Sequence, residues 1–144
     1  METTQEPAAM FHRRTKARKI NHLSEIDELA ASGKPVLVDF MQPNCAPCRV
    51  MDGIVNEISD EYGDSAHVVK VDVQQVEGAA MKFKIRSTPT LIVLAKPPVK
   101  KRKKVRPGDK PQGEQTASQR WRTTGLVKKD QLQQILESNG ASRV

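Results

Sequence analysis

Cysteine, histidine and aromatic residues are all scarce in this chain. Of its 144 residues, two are cysteine and three are histidine, and aromatics make up 3%. Two cysteines cannot build the disulfide framework of a small secreted domain. A hydrophobic fraction of 37% is low for a chain that packs all its residues into one core, so part of it is expected outside. No apolar run approaches the roughly 18–20 residues that span a bilayer, and no membrane association is expected. Met1 to Asn21 is polar and basic, without the apolar centre of an export signal. Glu2 and Glu6 also argue against a transit peptide. A cytoplasmic, reducing location follows as the expectation, which gives a cysteine pair a redox or metal role.

The charge is uneven. The formal net charge is +7, yet residues 34–95 carry six basic and eight acidic groups, while residues 96–122 carry ten basic and two acidic. Lys96 to Ser118 also holds Pro97, Pro98, Pro107, Pro111, Gly108 and Gly113, with the run Lys100-Lys101-Arg102-Lys103-Lys104-Val105-Arg106 inside it. It reads as a long basic loop inserted in the domain. The run is a solvated loop, a nuclear-import-like signal in a eukaryote, or a dock for an acidic partner or nucleic acid. It contains no interleaved aromatics, which disfavours sequence-specific RNA reading.

Residues 1–16 lack periodicity and read as an extension, and a basic cluster of Arg13, Arg14, Lys16, Arg18 and Lys19 straddles its end. A domain over 17–140 follows, and 141–144 form a C-terminal tail. Within the domain a short edge strand is expected near 17–22. Ser24 is a candidate N-cap, Ile26, Leu29 and Ala30 repeat with helical spacing, and Gly33 ends that helix. Val36 to Phe40 is nearly all apolar, as in a central strand covered on both faces, and Asp39 interrupts it. Met51, Ile54, Val55 and Ile58 mark the next helix, which contains Gly53 and closes at Gly63. A third strand is expected near 67–73, where Val68, Val69, Val71 and Val73 are strongly β-forming, with 76–83 a short helix, Thr90 to Ala95 a fourth strand, and 119–124 the last strand. Leu132, Ile135 and Leu136 mark a final helix. The order is βαβαβαβ, the loop, then βα, which implies an α/β fold: a mixed five-stranded sheet with helices on both faces.

The two cysteines, Cys45 and Cys48, fall where the central strand hands over to a helix. Two intervening residues bring both sulfurs to one side of the helix's first turn. Pro47 is tolerated there because its missing N–H would have no partner. The spacing alone leaves redox chemistry and a zinc half-site open. His12, His22 and His67 are the remaining zinc donors of this kind, and none is at ligand spacing from the pair or from another histidine.

Val38-Asp39-Phe40, Cys45-Ala46-Pro47-Cys48, Val69-Lys70-Val71-Asp72, Thr88-Pro89-Thr90-Leu91 and Gly125-Leu126 with Gln131-Leu132 occur in the order and spacing of the thioredoxin family. The chain resembles that family over roughly residues 17–95 and 119–139. The resemblance implies a protein-disulfide reductase with Cys45 as nucleophile and Cys48 as resolving thiol. It implies Asp39 and Lys70 as a proton relay, and a cis Thr88–Pro89 bond facing the cysteines. Asn44, Ala46, Pro47, Thr88, Pro89 and Gly125 are then the substrate-binding positions. The active group is the cysteine pair itself, with no metal or other cofactor. The partners implied are protein disulfides and a thioredoxin reductase-type flavoprotein donor, and a monomer is expected. The departures are Asn44 and Met41 at two usual tryptophans, Gly53 at a usual proline, and the basic loop in place of a tight hairpin. These departures keep a second reading open: a binding or adaptor module that presents the basic loop on a thioredoxin-like scaffold.

Overall fold

The computed structural model describes residues 16–97 and 116–144. The basic run 100–106, most of the inserted loop and the extension up to residue 15 lie outside the described residues. Five strands form one sheet: β1 (Arg18–Lys19), β2 (Val36–Met41), β3 (His67–Asp72), β4 (Thr90–Ala95) and β5 (Ser118–Thr124). Their spatial order is β1-β3-β2-β4-β5. β3 runs parallel to β1 and β2, whereas β4 is antiparallel to both β2 and β5. β2 is therefore central, and Val36 to Phe40 are all buried, which accounts for its almost unbroken apolar character.

Alternation along β2 divides the core in two. Leu37 faces the helices α2 (Ala46–Tyr62) and α4 (Lys129–Ser138), packing with Met51, Val55, Ile58, Leu132 and Leu136. Val36, Val38 and Phe40 face the other way, toward Ile26 of α1 (Ser24–Ala31) and Ala79 of α3 (Ala79–Lys82). The scarcity of aromatics is met by β-branched and aliphatic packing. Tyr62 and Phe40 are the two aromatic side chains among the fully buried ones, and Trp121 is half-buried against the α2–α4 side.

Three local readings of the sequence need correction. The edge strand expected near 17–22 is β1, confined to Arg18–Lys19. Ser24 is not the N-cap of α1. It lies in the helix, whose N-cap residue is Leu23 with no side-chain cap. The Glu25 and Ile26 N–H groups of its first turn go to the His22 and Leu23 carbonyls at 3.1 and 3.0 Å, while the Glu25 carboxylate folds back to take the N–H groups of Asn21 and His22, which precede the helix, at 2.7 and 3.0 Å. The α3 helix is also shorter than 76–83. Gly78 precedes it with φ +80, a backbone state that favours glycine and keeps it outside the helix.

The two ends of the connection between β4 and β5 are placed by the sheet. β2 points toward the cysteines, and β4 runs antiparallel to it, with Thr90 opposite Phe40 and Leu94 opposite Val36. The chain therefore leaves β4 after Ala95 at the end of the sheet away from the cysteines. It re-enters there at Ser118, which pairs with Ala95.

Candidate active site

The cysteine turn is shaped by its residue types. Asn44, exposed, has φ 61, a left-handed conformation that asparagine tolerates better than most residues. It turns the chain so that Cys45, in extended conformation, becomes the N-cap of α2, with proline in the first turn. The Cys45 Sγ accepts a hydrogen bond from the Cys48 N–H at 3.2 Å. Sulfur thus occupies the place usually taken by a capping oxygen. The two sulfurs are bonded to each other at 2.13 Å. Cys45 is 9% exposed and Cys48 4%, so Cys45 is the more accessible of the two, while Ala46 and Pro47 between them are exposed.

Thr88 and Pro89 join the site from the start of β4. Their peptide bond is cis. The Thr88 carbonyl oxygen and hydroxyl each lie 3.6 Å from the Cys45 sulfur. Gly125, at the end of β5, donates its N–H to the Pro89 carbonyl at 2.8 Å. Its φ of +88 is one that side chains rarely adopt. Sequence-distant residues 44–48, 88–89 and 125 are thereby brought to one end of the sheet. Val50 and Leu126, next to two of these segments, are exposed large apolar side chains.

Beneath this turn lies Asp39. It shares the α2 face of β2 with Leu37, is fully buried, and among the described residues has no hydrogen-bond partner on either carboxyl oxygen. Burial pushes its carboxyl up to about 7; the Lys70 charge opposes this and the Asp52 charge adds to it. A carboxylate without compensating hydrogen bonds holds its proton more tightly because the charged form loses its hydration. Lys70 sits opposite Asp39 on β3, but its ammonium is ion-paired to Asp52 of α2.

Two residues that position the site escaped the sequence reading. One is Asp52, whose only signal was its place four residues after Cys48, on the same side of the helix. The other is Arg122 of β5. Its guanidinium donates to the Phe83 and Lys84 carbonyls at 2.5 and 2.6 Å, tying β5 to the segment that leads into Thr88–Pro89. An arginine in a polar edge strand gives no such signal.

A cysteine pair capping a helix, set against a cis-proline at the end of a mixed sheet, defines a site built for thiol–disulfide chemistry. The chain belongs to the thioredoxin family, whose family model, described as Thioredoxin, matches residues 16–119. Among curated relatives, Thioredoxin Y1, chloroplastic, of Arabidopsis thaliana is 42% identical over 81 residues, 56% of this chain and 47% of that protein. Thioredoxin 1 of Synechococcus elongatus is 44% identical over 66 residues, 46% of this chain and 62% of that protein. The match thus spans less than two thirds of either relative. A mutant thioredoxin from Halobacterium salinarum NRC-1 has a solved structure with a TM-score of 0.65, covering 87% of this chain and 91% of that one at 24% identity. Chloroplastic thioredoxin z gives 0.63 at 22% identity, covering 88% and 96%. These two likenesses bear on the fold.

Proposed function

We propose that the protein is a thiol–disulfide oxidoreductase that reduces protein disulfides through Cys45 and Cys48. The observation that carries this is the Cys45 sulfur at the N-cap of α2, bonded to Cys48 and accepting the Cys48 N–H. Once the pair is reduced, the same N–H and the helix dipole favour the Cys45 thiolate over the thiol. That thiolate attacks one sulfur of a substrate disulfide. The substrate S–S bond breaks, one substrate thiolate leaves and takes up a proton, and a Cys45–substrate disulfide forms. Cys48 then passes its proton to the Asp39 carboxylate and attacks the Cys45 sulfur. The second substrate thiolate departs, accepts a proton, and the Cys45–Cys48 disulfide closes. Two electrons have moved from the dithiol to the substrate.

An extended substrate segment would lie along Thr88, with Asn44, Ala46, Pro47 and Gly125 around the sulfur. An external dithiol, such as that of a flavoprotein thioredoxin reductase, returns the pair to the reduced state in a reducing compartment. The test is dithiothreitol-driven reduction of insulin disulfides by the full chain. Acceleration is expected, with complete loss in Cys45→Ser. Cys48→Ser should accumulate the mixed disulfide, visible by mass spectrometry. A wild-type rate no faster than dithiothreitol alone would sink the proposal.

A further inference from the structure

Lys70 has two carboxylates to choose from. Asp39 faces it across the β2–β3 ladder, is buried, and its carboxyl has no hydrogen bond among the described residues. Asp52 lies on α2 with its side chain half-exposed. The ammonium goes to Asp52. Asp52 is itself held from behind: the Asn56 amide approaches its second oxygen at 3.5 Å, and the Asn56 carbonyl oxygen accepts the Ala17 N–H at 3.1 Å. A line of polar contacts therefore runs from the chain entering β1, across α2, to the lysine beside the buried carboxyl.

We propose that Asp52 is a positioning residue for the dithiol reaction, holding the Lys70 ammonium on the α2 side and away from the Asp39 carboxyl. The inference rests on the oxidoreductase reading above. Electrostatics give it a sign. An ammonium moved onto Asp39 would favour its ionised form, while the Asp52 charge disfavours it. Both effects of Asp52, removal of the cation and addition of an anion, act in the same direction. The groups acting on Asp39 are Lys70 from β3 and Asp52 from α2. Its neighbour on β4, Leu91, is apolar and buried. From α2, Cys48 adds a thiol when the pair is reduced. An Asp39 carboxyl that keeps its proton longer is a stronger base toward Cys48 once ionised, and it is ionised in a smaller fraction of molecules at a given pH. Asp52 thereby shifts the pH at which resolution is fastest.

The experiment titrates the Asp39 carboxyl carbon by NMR in the full chain, reduced and oxidised. The chains compared are wild type, Asp52→Asn, Lys70→Met and the double variant, with insulin reduction followed across pH 5–9 in parallel. Asp52→Asn should move the Asp39 midpoint to lower pH by about half a unit or more, and the pH–rate profile with it. Lys70→Met should move the midpoint up. In the Lys70→Met background the Asp52→Asn shift should shrink to less than half, since there is no ammonium left to hold. An equal shift in both backgrounds would mean direct charge alone and would overturn the positioning role, as would no shift at all. The carboxyl titration needs no activity, so a wild type that fails to reduce insulin overturns the oxidoreductase reading and leaves this measurement standing. Circular dichroism of each variant separates a lost shift from a lost fold.

Discussion

At the scale of single residues, Asp39 carries a cost that pH reveals. Its carboxyl is raised to about 7 in the folded protein, above the roughly 3.9 of an unfolded aspartate. Between those values the unfolded chain gives up this proton before the folded one does. The folded state binds more protons, so its stability falls as pH rises from about 4 to about 7, and the loss is complete above that. Asp39→Asn should therefore stabilise the protein at pH 8, by up to about 4 kcal/mol, and by little near pH 4. Urea unfolding at the two pH values checks this, and equal effects at both would contradict it. Asp39 was legible in the sequence because a carboxylate inside an apolar strand is conspicuous. Asp52 was not, because its importance depends on which strand lies beneath the helix. That is set by the β2–β3 register, which local periodicity does not encode. Asn44 shows the same limit: in sequence it is only a departure from the family's tryptophan, whereas in the fold its left-handed backbone starts the cysteine turn.

The elements followed the periodicity closely in type and order, and less closely at their ends. The edge strand narrows to Arg18–Lys19, the His22 and Leu23 carbonyls rather than a Ser24 side chain take the first N–H groups of α1, and Gly78 delays α3. Within α2 the sequence left open whether Gly53 permits close packing. Among the described residues a Cβ placed there meets nothing within 4 Å, and the position is exposed. Gly53→Ala should accordingly stabilise the protein by about 0.5–1 kcal/mol, read as a rise in urea midpoint with unchanged insulin reduction. A lower midpoint would show that the glycine relieves a strain in the helix.

Across the whole molecule, the end of the chain is more tightly bound than its sequence shows. Ala141 is buried in the α2–α4 core, the Val144 N–H donates to the Glu61 carbonyl at 2.8 Å, and Ser65 and Ser142 exchange hydrogen bonds. Arg143 and Glu137 meet at the Tyr62 hydroxyl. Removing residues 141–144 should lower the melting temperature by several degrees without altering the cysteine chemistry, since these contacts lie at the far end of α2 from Cys45. Thermal unfolding and insulin reduction, measured on the same sample, decide the point.

The antiparallel course of β4 has a wider consequence. The six residues of β4 run from Thr90 to Ala95, about 17 Å at the rise of an extended chain. The connection carrying 98–115 is thus rooted about that far from the sulfurs. Deleting it should leave the turnover of a small, untethered disulfide unchanged. A protein substrate gripped by the basic run would experience something different. Its own disulfide would then reach the sulfurs at a local concentration set by the span between the grip and the cysteines, and reduction would become an intramolecular event. Such a grip would weaken steeply with added salt, so a substrate whose rate collapses between low and high ionic strength, while a small disulfide's does not, would be one that uses this second handle.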